Sequence, residues 1–455
     1  MPWDDVNSRF RVIPSGISRR ALGVCWQLAW LAALVIVGTA AGVFAATDDP
    51  DWAGTEPGDI SNSPTDRAWQ AVIAAGPPER IVVAWSDQES VDAPRNIHVR
   101  RSDDDAHSWS TPEVISATAA QSALPDVCVT GSQAFVAWVD SPTIGAPNEA
   151  IYEAEVGDGG ARPIPSPIPL GWTRPRLAAG LDRLHVVFSA GVEVLHASRP
   201  LTATTWPTAT RIYTSTTALT LWFPVLALDS DGETLHVVWQ EEDVFDESVI
   251  MYMRGEMNSG EVQWEPSRRL TATTAAELTY PTIVVDSVGD LHVVWGEAVG
   301  AGGLAQRDQY VRYTRYDAAS GEWNSSAVRV DPNPVKVNQD NPTYTAPSLA
   351  LFEEGGRLEV CVAWHGFREG GFGENVLLSC SWDRGRSWSV PEDVSRSTDV
   401  EAMSLAPSTT FDASGQLHSV WQEHNAAMGD SVVNNYQVFH SRALYKTFLA
   451  FVARN

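Results

Sequence analysis

Leu235-His236-Val237-Val238-Trp239 is the fourth statement of a phrase that the chain makes seven times. Before it come Ile81-Val82-Val83-Ala84-Trp85, Phe135-Val136-Ala137-Trp138 and Leu184-His185-Val186-Val187-Phe188. After it come Leu291-His292-Val293-Val294-Trp295, Val360-Cys361-Val362-Ala363-Trp364 and Leu417-His418-Ser419-Val420-Trp421. The closing aromatics stand 50 to 69 residues apart. Self-similarity at such a period marks a repeat architecture, in which one supersecondary unit is restated along the chain.

Each phrase sits in a longer unit. Upstream lie a proline (Pro125, Pro175, Pro224, Pro281, Pro347, Pro407; Trp69 in the first copy) and a short apolar run. A turn follows, clearest in Asp229-Ser230-Asp231-Gly232. Downstream come a third apolar run, such as Val249–Met253, and a fourth segment opened by Trp109-Ser110-Thr111-Pro112 or Trp388-Ser389-Val390-Pro391. Four β-rich runs per unit with turn residues between them predict blades. No stretch past residue 47 has a helical period. The expected fold is all-β: a β-propeller of about seven four-stranded blades. The last unit lacks its fourth strand, whereas Trp52, Glu56-Pro57 and Ile60-Ser61 echo Trp109, Pro112-Glu113 and Ile115-Ser116. The N-terminal strand should therefore complete the last blade and close the ring, removing an open sheet edge.

Residues 1–20 form a basic n-region ending in Ser18-Arg19-Arg20. Residues 21–46 are apolar apart from Gln27 and Thr39, and Val43-Phe44-Ala45 supplies the small residues a signal peptidase reads. The Ser-Arg-Arg-Ala-Leu start is similar to a twin-arginine export signal. A signal peptide and an uncleaved membrane-anchor helix both fit, since about 20 apolar residues span a bilayer. Either places residues 47–443, the propeller, outside the cytoplasm: secreted, or anchored to the outer face of the membrane. Residues 444–455 leave the repeat as a C-terminal tail.

With 57 acidic against 31 basic residues the net charge is −26. Such a surface repels phosphate backbones and excludes nucleic acid as a partner. It tolerates calcium; no cofactor and no metal site is assigned, and no CxxC spacing suggests zinc. Cys361 and Cys380 fall on one expected hairpin, where a disulfide and two buried thiols both remain open. Cys128 has no evident partner.

Two hairpins carry the pattern Ser-x-Asp-x-Gly-x-x-Trp. One is complete (Ser381, Asp383, Gly385, Trp388); the other has Ser102, Asp104 and Trp109, with Ala106 in the glycine place. Relics run from Ser198 to Trp206, Asn258 to Trp264 and Asp317 to Trp323. On these motifs the chain, over about residues 48–442, resembles the Asp-box (BNR) repeat, sialidase-like β-propellers. The aspartate reads as a structural clasp that accepts backbone amides of a tight turn.

The resemblance implies a site at one mouth of the ring, on the face where loops after the second strands meet the links between blades. On that face five units read Trp-x-acid: Asp87, Asp140, Glu241, Glu297 and Glu423. Carboxylates gathered there suit a cation or the acid and base of glycoside hydrolysis. The alternative is that each acid caps its own loop or pairs with the next blade. Departures from the repeat add His365 and Arg368 in the sixth copy, His424 in the seventh, and Arg174 beside a blade-start proline. The long loops 331–346 and 395–406 read as lids or binding loops.

A sialidase also needs an arginine trio, an acid aspartate and a tyrosine nucleophile paired with glutamate; this set is not found. Phe10-Arg11-Val12-Ile13-Pro14 imitates the family's N-terminal phrase but precedes the export segment. The expectation is an exported propeller binding extracellular glycan or protein ligands at one mouth. The rival is a glycoside hydrolase with a rearranged active site, and a third reading is a structural module of a cell-surface assembly. Two carboxylates about 5–10 Å apart at the mouth would favour the enzyme. Aromatics there would favour binding.

Overall fold

Alternating runs of β-branched and aromatic residues build seven antiparallel sheets in a computed structural model of the chain. It describes residues 57–443 except 78, 91–92, 117–119, 142–148, 159, 172, 243–247, 273–275, 302–303, 336–344, 368–373, 398–402 and 425–435. Residues 1–46, expected to direct export, together with Trp52, Arg368 and the tail 444–455, lie outside the described residues.

The first blade shows the plan: inner strand Ala68–Gly76, second strand Arg80–Asp87, third strand Asn96–Ser102 and outer strand Glu113–Val114. The inner strands of the next five blades are Gln121–Thr130, Arg176–Ala179, Thr220–Leu228, Glu277–Val285 and Ser348–Glu354. In the fourth and fifth blades a two-residue strand also pairs with the third strand. The seventh blade takes Met403–Phe411, Leu417–His424 and Tyr436–Arg442 from the C-terminal end and its outer strand, Gly58–Asp59, from the N-terminal end. Gly58 pairs with His440 and Asp59 with Phe439, and the Ile60 amide donates to the Val438 carbonyl at 2.8 Å. The expected closure is present.

The repeated phrase is the second strand, and its terminal aromatic is the deepest residue. Trp85, Trp138, Phe188, Trp239, Trp364 and Trp421 are completely buried. Each contributes on the order of 3 kcal/mol of hydrophobic stabilisation. The core lies between blades rather than within them. One hydrophobic cluster joins the last blade to the first through Val420, Val438, Ile81 and Trp85, and comparable clusters fill the six other junctions.

The histidine of the phrase, third before the aromatic, anchors a chain of contacts across four junctions. His236 Nε2 meets Asp229 Oδ1 at 2.9 Å, and its Nδ1 meets the Tyr252 hydroxyl at 2.8 Å. Tyr252 then packs edge-on against Trp323 of the next blade. His292 binds Tyr313 at 2.7 Å, and Tyr313 meets Trp388. His418 lies between Asp412 (3.0 Å) and His440 (3.1 Å), and His440 meets Trp109. His185 contacts His196 at 3.2 Å, and His196 meets Trp264. The Asp-box tryptophan and its relics thus pack on the third strand of the preceding blade, not inside their own. In the sixth blade Cys361 holds the histidine's place, and it forms a disulfide with Cys380 directly across the hairpin.

Candidate binding site at the channel mouth

A glutamate or aspartate two residues beyond a buried tryptophan can reach back to the indole, and three of the five do. Trp85 Nε1 donates to Asp87 at 3.1 Å, Trp138 Nε1 to Asp140 at 2.8 Å and Trp421 Nε1 to Glu423 at 2.8 Å. A serine hydroxyl completes each: Ser63 on Asp87 (2.7 Å), Ser122 on Asp140 (2.6 Å) and Ser404 on Glu423 (2.5 Å). Burial pushes the Asp87 carboxyl up, against the lowering pull of Ser63 and Trp85. Glu241 accepts from Ser215 at 2.6 Å, Tyr213 at 2.9 Å and Thr217 at 3.2 Å. Glu297 takes the Arg312 guanidinium at 2.7 Å from both Nε and Nη2. These carboxylates are engaged by side chains of their own or adjoining segments, and none is among the residues that line the cavity described below.

The two Asp boxes are turn clasps. Asp383 Oδ1 accepts the amides of Arg386 (3.0 Å) and Ser387 (2.8 Å), and Ser381 Oγ accepts that of Gly385 at 2.8 Å. Asp104 repeats this through the Ser108 amide (2.8 Å) and hydroxyl (2.6 Å), and Ser102 Oγ takes the Ala106 amide at 2.9 Å. Those bonds, led by the Ser108 hydroxyl, bring the Asp104 pKa down to about 2. For Asp383 burial raises the pKa, yet the Ser387 and Ser381 bonds outweigh it and leave a net lowering. Both turns lie on the face opposite the blade-to-blade links.

At the linking face the channel opens into a cavity of about 760 Å³. Of the site candidates, Arg174 and His365 line it. His424 is buried against Tyr436 and does not. His365 is buried, its Nε2 4.0 Å from Glu374 and its Nδ1 3.4 Å from the Ala406 amide; burial pulls its pKa down to about 4.

The inner strands and the residues leading into them contribute to the lining at one repeated position. It is the residue before the blade-start proline: Leu124, Arg174, Phe223, Tyr280, Ala346 and Ala406, with Gln70 before Ala71 in the first blade. All seven are half-buried and face the cavity. In five of them the backbone is left-handed, with φ of 58° at Gln70, 55° at Leu124, 53° at Phe223 and 50° at Tyr280 and Ala406. At each of these five the pairing register slips. Proline restricts the residue before it to extended conformations, and a left-handed non-glycine residue costs of order 1–3 kcal/mol. Five of the blades therefore repeat a strained bulge that turns one side chain into the channel. The signal for this ring was the proline itself, which marks the register of the channel residue.

Polar side chains here mostly serve the neighbouring blade's backbone. Gln422 accepts the Gln70 amide (3.1 Å), Gln70 the Leu124 amide (2.8 Å) and Asp126 the Leu177 amide (2.7 Å). Ser348 accepts the Thr409 amide (2.9 Å) and Ser408 the Ile73 amide (3.2 Å). What remains is distributed unevenly. The first and third blades bring cations: Arg95 stacked on Trp69 at 4.3 Å in the first, and in the third Arg174 and Arg176, the latter paired with Asp126 of the second blade at 2.7 Å. The fourth and fifth bring aromatics, with Phe223 and Tyr280 stacked at 4.2 Å and Trp222 beside them. The sixth and seventh bring Ala346, Ala406 and prolines. Burial, and then Arg176, lower the Arg174 pKa to about 10, so it stays charged at neutral pH.

No protein-family model matches the chain, and no curated protein matches it. Solved structures resembling it include the Hadza microbial sialidase Hz136, at 11% identity and a TM-score of 0.45 over 83% of this chain and 65% of that one. Trypanosoma rangeli sialidase is similar at 11% identity and a TM-score of 0.47, over 86% and 58%. A Dyadobacter fermentans protein of unknown function is similar at 9% identity and 0.49, over 84% and 95%. The chain thus spans less than two thirds of the length of the two sialidases. At these identities the likeness concerns the fold alone, which rests on the sheet topology described above.

Proposed function

We propose that the protein is an exported binding propeller, which holds an extracellular glycan or protein ligand at the channel mouth without cleaving it. The observation that carries this reading is the asymmetric mouth, with cations on one side and stacked aromatics on the other. Aromatic faces and guanidinium groups are the usual anchors of a binding pocket. The carboxylates within the cavity are engaged in structure: Asp126 by Arg176 and the Leu177 amide, and Glu149 by the Thr173 amide at 2.9 Å. The apolar segment 21–46 behind four arginines supports export, secreted or anchored.

The test uses the purified full chain with a panel of chromogenic glycosides, a sialoside among them, and an immobilised glycan and extracellular-protein panel, each with and without calcium. The expected result is saturable binding that Phe223→Ala weakens at least tenfold, with no sugar released. Release of one sugar, abolished by Glu149→Gln, would replace this reading with a glycoside hydrolase.

A further inference from the structure

Arg174 occupies the one cationic place in the ring of channel residues, between Leu124 of the second blade and Phe223 of the fourth. Among the described residues no hydrogen bond or ion pair engages its guanidinium, and its Nε is buried with no partner. Its neighbours explain why this charge is unanswered. Asp126, the adjacent carboxylate, already holds Arg176 and the Leu177 amide. Tyr280, the phenol that feels the Arg174 charge, is no counter-ion either, because burial raises its pKa further above that of an ordinary phenol. In a chain of net charge −26, an arginine at the wall of a cavity that no carboxylate among the described residues pairs or hydrogen-bonds is an open anion position.

The surroundings say what kind of anion fits. The cavity lining includes the aliphatic side chains of Val72, Val127, Leu177, Leu226 and Leu349. Beside Arg174 stand the stacked rings of Phe223 and Tyr280. Gln70, Gln422, Ser348 and Ser408 each give an acceptor oxygen to a backbone amide of an adjacent blade. A planar guanidinium suits a carboxylate, taken through two parallel hydrogen bonds.

Resting on the binding function proposed above, we infer that the mouth takes an organic carboxylate with an apolar or aromatic body next to it. Arg174 receives the carboxylate, and Phe223, Tyr280 and the aliphatic wall receive the body. A free aromatic acid and the C-terminal end of a peptide share this chemistry, and 760 Å³ accommodates a drug-sized molecule or a terminal peptide of a few residues.

Titration calorimetry on the full chain tests this with four probes: N-acetyl-phenylalanine, its amide, a pentapeptide ending in phenylalanine with a free carboxylate, and the same peptide amidated. Each acid should bind at least tenfold more tightly than its amide. Arg174→Gln should remove that difference, lowering acid affinity tenfold or more and leaving the amides unchanged. Phe223→Ala should weaken acids and amides alike. Arg174→Lys, which keeps the charge, should retain part of the preference even if Arg174→Gln folds poorly. A single acid against the peptide acid identifies the source, since only a threaded peptide gains affinity from its preceding residues. Equal binding of acid and amide, or an acid preference that survives Arg174→Gln, would overturn the inference. Sialyllactose or a neutral glycan binding where neither acid does would overturn it too, while leaving the binding function intact. No ligand of any class at the mouth would sink both.

Discussion

Lowering the pH from 7.5 to 5 should cost the propeller a large part of its stability, through histidines buried in neutral form. His185, packed on His196 with Arg183 nearby, has its pKa brought down to about 4 by burial first and Arg183 second. His365, facing Glu374, is brought to about 4 by burial. An unfolded histidine titrates near 6.5. Because the folded pKa lies below the unfolded one, the contribution is complete above pH 6.5 and is lost as the pH falls toward 4. One pKa unit corresponds to about 1.4 kcal/mol, so at pH 5 each of the two groups has given up about 2 kcal/mol, together about 4. His196 and His440, both lowered well below the usual range by burial, act in the same direction. Carboxylates with lowered pKa, such as Asp412 and Asp286, defend the fold until the pH drops below about 4. Asp87 and Asp393, raised by burial, oppose the trend as they protonate. Against a typical total of 5–15 kcal/mol, a net loss of several kcal/mol would be plain. Urea titrations at pH 7.5, 6.5, 5.5 and 5.0 measure it, with His365→Gln expected to flatten the slope. A midpoint that stays level or rises between pH 6.5 and 5 would refute the reasoning.

Gly385→Ala should destabilise by about 3 kcal/mol, combining a left-handed non-glycine cost with a displaced ring and a lost hydrogen bond. The new Cβ would stand 2.0 Å from the Tyr313 ring at a φ of +76°. In the other Asp box Ala106 already holds the equivalent place at φ 60°, so Ala106→Gly should change the urea midpoint little by comparison. Opening Cys361–Cys380 with reductant, or replacing both by serine, should cost about 3 kcal/mol for a closed loop of this length, the pair having a sequence separation of 19. Removing residues 57–67 should strip the seventh blade of its outer strand and replace the single unfolding transition by a broad one, read by circular dichroism. A truncated chain that keeps a sharp transition at the same midpoint would show that closure contributes little.

Blade number, strand order and the closing strand were legible because they rest on periods: alternation within strands, and a phrase repeated every 50 to 69 residues. The mouth was legible only in part. A count of Trp-x-acid units cannot tell which way a carboxylate turns, and at Asp87, Asp140 and Glu423 the indole two residues earlier claims it. Arg174 stood out as a cation beside a blade-start proline. Phe223 and Tyr280 did not, because a residue before proline in a strand is expected to be extended, and the bulge that turns both rings inward appears only once neighbouring strands are paired. The blade junctions were likewise hidden, since the partner of each Asp-box tryptophan lies on a different blade, far away in sequence.

Those tryptophans give the ring a sense of direction. Trp109, Trp206, Trp264, Trp323 and Trp388 all reach back to the third strand of the blade before, meeting His440, Glu153, His196, Tyr252 and Tyr313. A blade therefore owns only half of what fastens it: it carries the bolt for the preceding junction and the socket for the following one. Transplanting a single blade would leave a bolt and a socket both facing strangers, whereas a cut drawn from one third strand to the next would carry matched pairs. The exchangeable module of this propeller is thus offset from the sheet the eye picks out, and any recombination that respects sheet boundaries should be punished at two junctions at once.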